Sequence, residues 1–283
     1  MKTSKQTNVP YSLNFKGRLV ELNRPLVMGI LNLTTDSFYD GGKFTEERLI
    51  SEQVEKMVSE GADIIDVGAS SSRPGSTEID QKLEESRLEP VIKMLSKSFP
   101  SILISVDTTR SIVAEKVVDW GADMINDISA GEFDKNMFAT IAKLSVPYVI
   151  MHMQGTPQEM QHNPSYNNVV KEVNQYLNEK VYQLQEKGVN DIIIDPGFGF
   201  GKTLEHNFEL LNNLYFFQNI GQPILVGISR KSMITKMLEI KSADALNGTT
   251  VLNTIACIKG ASILRVHDVK EAVEVVKLLT MID

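Results

Sequence analysis

Apolar residues along this chain fall into two alternating registers. One consists of short unbroken apolar runs that end in a polar residue. Four of these follow a glycine: GADIID (61–66), GADMIN (121–126), GVNDIIID (188–195) and GASILR (260–265). Glycine is the natural residue just past a helix C-terminus, because it accepts positive φ at little cost. Runs this short and this apolar suit strands covered on both faces, as in a parallel sheet. Four more runs open with proline: PLVMGILN (25–32), PSILISVD (100–107), PYVIMH (147–152) and PILVGIS (223–229). Proline is tolerated at a strand's first residue, where no ladder donor is lost.

The second register is helical and fills the gaps. Ile50, Val54, Met57 and Val58 keep one stripe up to Gly61, and Val169, Val173, Leu177, Val181 and Leu184 keep another up to Gly188. Eight strands alternating with helices predict a (β/α)8 TIM barrel or a large doubly wound sheet. The repeat of one proline-started and one glycine-started unit favours the closed barrel. Residues 12–23 alternate around Lys16-Gly17 and predict a β-hairpin before it. The expected division is an extension and hairpin over 1–24 and a single barrel over 25–283.

Composition narrows the function. The 283 residues are 42% hydrophobic and 23% charged, with a formal net charge of −7. An acidic chain argues against non-specific nucleic-acid binding, which needs a basic face. The single cysteine, Cys257, sits in an apolar run and reads as a small buried hydrophobe. No run of 18 apolar residues and no apolar leader core occurs, so no membrane span is expected and a cytoplasmic location is.

The carboxyl ends of barrel strands face one mouth, where chemistry sits. Here those ends are Asn32, Asp66, Asp107, Asn126, His152, Asp195, Ser229 and Arg265. Lys231, Arg265 and His267 supply donors for an anion; Asp107, Asn126 and Asp195 suit a flat heterocycle with N–H donors and amide-like edges. Met151 and Met153 flank His152, so at least one of them packs in the core. The string Gly197–Thr203 (GFGFGKT) imitates the tail of a Walker A loop, but its first glycine would fall at Pro196, so that reading is rejected. No Ser-His-Asp nucleophile elbow and no zinc cluster is present.

Eight ordered motifs resemble the dihydropteroate synthase family: GILNLTTDSFYDGGKF (29–44), SSRPGS (71–76), ISVDT (104–108), INDISAG (125–131), MHMQGTPQEMQ (151–161), DPGFGFGKTLEHN (195–207), GISRKSMI (227–234) and RVHDVKEAV (265–273). The resemblance implies condensation of a pterin methyl diphosphate with 4-aminobenzoate, the substrate that sulfonamides imitate, to give 7,8-dihydropteroate in folate biosynthesis. It implies Asp107, Asn126, Asp195 and Lys231 as pterin binders, Arg265 against the pterin face, and Met151 and Phe200 as walls. It places Asn32 at Mg²⁺, with Ser72, Arg265 and His267 near the diphosphate. It places Ser229, Arg73, Pro74 and Phe38 at 4-aminobenzoate. Lys231, Arg265, His267 and Asp107 are the expected catalytic set, and a homodimer is the family's usual assembly. Thr35, the run Ala69–Ser72 and Thr109-Arg110 depart from the commoner pattern. A methyltetrahydrofolate:corrinoid methyltransferase-like enzyme and a non-catalytic pterin-binding relative are the alternative readings.

Overall fold

Every expected strand forms. The computed structural model describes residues 11–33, 43–69, 79–160 and 163–282. After a hairpin of β1 (Ser12–Phe15) and β2 (Arg18–Glu21) come β3 (Leu26–Asn32), β4 (Ile64–Gly68), β5 (Leu103–Asp107), β6 (Met124–Asp127), β7 (Tyr148–Met151), β8 (Ile192–Asp195), β9 (Leu225–Val226) and β10 (Ile263–Val266). The last eight form one parallel sheet in the order β8-β7-β6-β5-β4-β3-β10-β9. A single parallel bridge between Ile194 and Ile224 joins its two ends and closes the barrel.

Helices separate the strands as the stripes predict: α1 (Lys43–Ser59), α2 (Gln81–Ser98), α3 (Ser111–Trp120), α4 (Met137–Leu144), α5 (Val169–Gln185), α6 (Leu204–Asn212), α7 (Ser232–Leu238), α8 (Leu246–Ile258) and α9 (Val269–Leu279). The five stripe residues of α5 are all buried. Gly61, Gly121, Gly188 and Gly260 take positive φ of 99°, 120°, 81° and 99°. At Gly121 the need is double, since an added Cβ would lie 2.5 Å from Ser96 Oγ.

Several strand boundaries differ from expectation: β4, β6 and β10 run past Asp66, Asn126 and Arg265 to Gly68, Asp127 and Val266. Pro100 does not open β5; it lies in the turn in which Ile102 N–H donates to the Phe99 carbonyl, and the strand starts at Leu103. β9 is cut to two residues, because the chain leaves the ladder at Gly227 to enter the turn before α7.

Alternation along the strands sorts their side chains. Val27, Val67, Ile104, Ile125, Ile150 and Leu264 belong to the core between sheet and helices. The opposite set (Met28, Ile64, Leu103, Met124, Val149, Ile193, Leu225 and Ile263) clusters inside the barrel with Leu13 and Phe15 of the hairpin. The hairpin turns at Lys16 (φ 51°) and Gly17 (φ 91°), the two positive φ values of a type I′ turn. Asn14 N–H donates to Asp191 Oδ1 at 2.7 Å and Lys16 Nζ to the Val118 carbonyl at 2.9 Å, so the hairpin is pinned as a floor.

Phe15 carries much of that floor. Phe15→Ala is expected to cost about 3 to 5 kcal/mol in urea-induced unfolding, with turnover at low temperature little changed, because the mouth is at the other end. A loss below about 1 kcal/mol would show that the hairpin does not plug the barrel.

Candidate active site

Above this apolar floor the inward positions turn polar. Asp66 stands opposite Ser105 in register, Asp107 opposite Asn126, and Met151 opposite Asp195. Asp66 is fully buried and gathers three donors: Ser105 Oγ at 2.6 Å, Asn126 Nδ2 at 3.2 Å and Arg265 Nε at 2.7 Å. An acceptor-only carboxylate fixes the sense of each bond. It takes the nitrogen side of the Asn126 amide and leaves Oδ1 as the acceptor for anything in the slot.

Arg265 reaches a second carboxylate, with Nη2 3.5 Å from Asp107 Oδ2. Burial pushes the Asp107 carboxyl up to about 7; the Arg265 guanidinium opposes that shift, and the Asp66 and Asp127 charges add to it. The guanidinium itself is held protonated by the carboxylates around it, against the cost of burial.

Asp195, at the end of β8, starts a glycine-rich turn. Its Oδ1 accepts the Gly197 N–H at 2.7 Å. Burial raises its pKa, while Lys231, the Gly197 N–H and Lys202 pull it back. Lys231 comes from the turn after β9: its Nζ donates to the Phe198 carbonyl at 2.5 Å and lies 4.6 Å from the Phe200 ring centroid. Its stem crosses Gly199, where a Cβ would come within 3.2 Å of Cδ. Burial pushes the ammonium down to about 8, with Asp195 opposing. Met151, Phe200 and Met160 form a small apolar cluster against Met153 and Ile128, so both methionines around His152 pack.

His152 is the exception among the strand ends. Alternation turns Met151 inward and His152 outward, where its ring meets Tyr176 of α5 edge-on at 4.9 Å. It does not join the mouth. Instead, Lys202 Nζ lies 3.0 Å from its Nδ1, 3.2 Å from its carbonyl and 2.9 Å from the Phe200 carbonyl. Burial and the Lys202 charge push the imidazole down to about 2, so it is neutral.

Arg230 backs the last two strand ends. It takes a left-handed backbone (φ 57°) and clasps Asp268 with Nε at 2.9 Å and Nη2 at 2.6 Å. That tie joins the turn carrying Ser229 and Lys231 to the one carrying His267. Ser229 is buried, with Oγ 3.0 Å from His267 Nδ1 and accepting the His267 N–H at 3.2 Å. Asp66, Lys202 and Arg230 thus serve the mouth without having been given roles from sequence. Cys257 stays inert, its thiol pushed up to about 12 by burial.

Asn32 ends β3 with a half-buried amide. Among the described residues no group of three or more His, Cys, Asp or Glu side chains is placed to hold a metal. One neutral amide oxygen fits a Mg²⁺ ion that keeps its waters and arrives on substrate phosphates, rather than a resident ion in an acidic cage. Phe38, Ser72, Arg73 and Pro74, and the departure at Thr35, lie outside the described residues.

Removing the central carboxylate should expose how much depends on it. Asp66→Ala is expected to lose about 3 to 5 kcal/mol of stability by urea unfolding, because it strands the Arg265 charge. A change within about 0.5 kcal/mol would mean that Arg265 is compensated elsewhere.

The chain matches the model of the pterin binding enzyme family over residues 28–267. It is 41% identical over 268 residues to the dihydropteroate synthase of Escherichia coli (strain K12), covering 93% of this chain and 94% of that one. Among solved structures, Yersinia pestis dihydropteroate synthase with a sulfonamide drug complex superposes with a TM-score of 0.90 at 38% identity, over 96% of this chain and 99% of that one. Xanthomonas albilineans dihydropteroate synthase with 4-aminobenzoic acid gives 0.89 at 36% identity, over 96% and 97%. The slot built on Asp66, Asp107, Asn126, Asp195, Lys231 and Arg265 therefore sits on a scaffold shared along nearly its whole length, and the chain belongs to the dihydropteroate synthase family.

Proposed function

We propose that this chain is a transferase that joins (7,8-dihydropterin-6-yl)methyl diphosphate to 4-aminobenzoate, giving 7,8-dihydropteroate and diphosphate. The observation that carries the reading is the polarity of the slot. Acceptors at Asp107, Asn126 Oδ1 and Asp195 share it with the Lys231 ammonium, beside Met151 and Phe200. A dihydropterin offers the complement: ring and amino N–H groups for the acceptors, and a ring carbonyl for the ammonium. Arg265, braced by Asp66, is a plane on which such a ring stacks. The 4-aminobenzoic acid named with the Xanthomonas albilineans relative supports the second substrate.

In this reading the bond between the exocyclic methylene and the diphosphate oxygen breaks first, its electron pair leaving on the diphosphate. The cation left on carbon is delocalised into the pterin ring, which the carboxylates hold in place. Arg265 and His267 face the departing anion, a stabilisation that counts for most in a dry site. The arylamine lone pair then forms the new C–N bond, and its proton leaves to solvent, so no strong base is required. When bound, Mg²⁺ neutralises charge on the diphosphate, with Asn32 as its protein oxygen. Ser229, with Phe38, Arg73 and Pro74, is assigned to 4-aminobenzoate, and Ser72 to the diphosphate. We further propose a cytoplasmic homodimer. Its support is the exposed apolar side chains Met237 and Leu238 on α7 and Val251 and Ile258 on α8. No helix among the described residues is long and apolar enough to cross a membrane.

Purified protein should release diphosphate only when given the pterin diphosphate, Mg²⁺ and 4-aminobenzoate together. Lys231→Ala should lower kcat/KM for the pterin substrate about 10- to 100-fold. Pterin binding without release would instead favour the non-catalytic relative.

The same site sets a pH profile. Asp107 must be ionised to accept N–H donors, so kcat/KM for the pterin substrate should rise with pH through about 7. Lys231 must keep its proton, so the value should fall above about pH 8. In Asp107→Asn the acid limb should flatten. A profile flat from pH 6 to pH 9 in the unaltered protein would remove both groups from the binding step.

A further inference from the structure

The glycine string rejected as a nucleotide loop has work of another kind. Lys202 is 3% exposed, and its ammonium meets three acceptors: the Phe200 carbonyl, the His152 carbonyl and His152 Nδ1. Burial pushes this ammonium down to about 7, with Asp195 opposing; while protonated it carries no lone pair, so Nδ1 accepts and the imidazole proton sits on Nε2. All three N–H groups are thus placed, two on His152 just past the end of β7 and one on the Phe200 carbonyl within the turn itself.

The fit is tight along the whole contact. A Cβ at Gly197 would stand 1.9 Å from the His152 carbonyl oxygen, and one at Gly201 would stand 2.4 Å from the Gln154 carbonyl oxygen. The turn therefore lies backbone to backbone on residues 152–154, and Lys202 is the side chain that ties the two together. Tyr166 Oη adds a bond to the Gly201 carbonyl at 2.7 Å, and Gly199 N–H reaches Asn207 Oδ1 at 2.6 Å.

Three properties of the slot descend from this turn. Its Gly197 N–H occupies one Asp195 oxygen and leaves the other for ligand. Its Phe198 carbonyl receives Lys231. Its Phe200 ring lies beneath the Lys231 ammonium. We infer that Lys202 is a positioning residue of the pterin slot: it touches no substrate, but clamps the 197–201 turn onto His152 and so sets the spacing between the Asp195 acceptor and the Lys231 donor. In its protonated form Lys202 also favours the ionised Asp195 carboxylate that ring N–H donors need.

The inference rests on the pterin reading of the slot, and turnover by the unaltered protein tests that reading separately. Given turnover, Lys202→Met should raise the KM for the pterin diphosphate about tenfold or more. The KM for 4-aminobenzoate, measured at saturating pterin, should stay within about twofold. His152→Phe removes one acceptor and no charge, and should raise the pterin KM about threefold with the same selectivity. In the double variant the two losses should not add, because both break one clamp. A folded Lys202→Met with an unchanged pterin KM overturns the inference. So does a parallel loss for both substrates together with a fall in melting temperature, which marks a merely structural lysine. If Lys202→Met does not fold, His152→Phe decides: an unchanged pterin KM there overturns it equally.

Discussion

A guanidinium inside a barrel has to be answered by negative charge. Bringing Arg265 out of water would be prohibitive alone, and its Nε bond to Asp66 with the Asp107 contact compensates it. Once that pair is fixed, other choices narrow. Asp66 must accept, so Asn126 presents its nitrogen inward and its oxygen to the slot. Asp107 faces the same cation, but burial raises its proton affinity and Arg265 offsets only part of that rise. The slot's hydrogen-bonding sense is therefore inherited from a charge pair that links residues 199 positions apart.

Much of the fold was legible because backbone chemistry punctuates it. The four helix-ending glycines have positive φ, as residues just past a helix often must, and the apolar runs became strands. Pro100 misled for a definable reason: proline serves a turn after a helix as well as it serves a strand's first residue. The candidate site was legible where strand-end position and parity agree, as at Asp107, Asn126 and Asp195. His152 shows the limit, because a polar residue at a strand end does not declare its face. One position of offset put it against Tyr176 rather than in the mouth.

What stayed hidden was pairing over distance. Nothing local marks Asp66 as the partner of Arg265, or Arg230 as the residue that accepts a left-handed backbone to reach Asp268. Lys202 was concealed differently: its neighbours imitate a phosphate loop, while the His152 it binds lies fifty positions earlier in the chain. Such residues become readable only when the sheet brings their neighbours alongside.

The closure of the barrel gives this geometry a further meaning. Seven of the eight junctions are ladders whose hydrogen bonds dictate strand separation. The eighth, between β8 and β9, is one bridge at Ile194 and Ile224. Asp195 and Lys231 stand on opposite sides of that seam, just above it. The hoop has a single loose stave there, and the width of the opening is gauged by side chains rather than by the sheet.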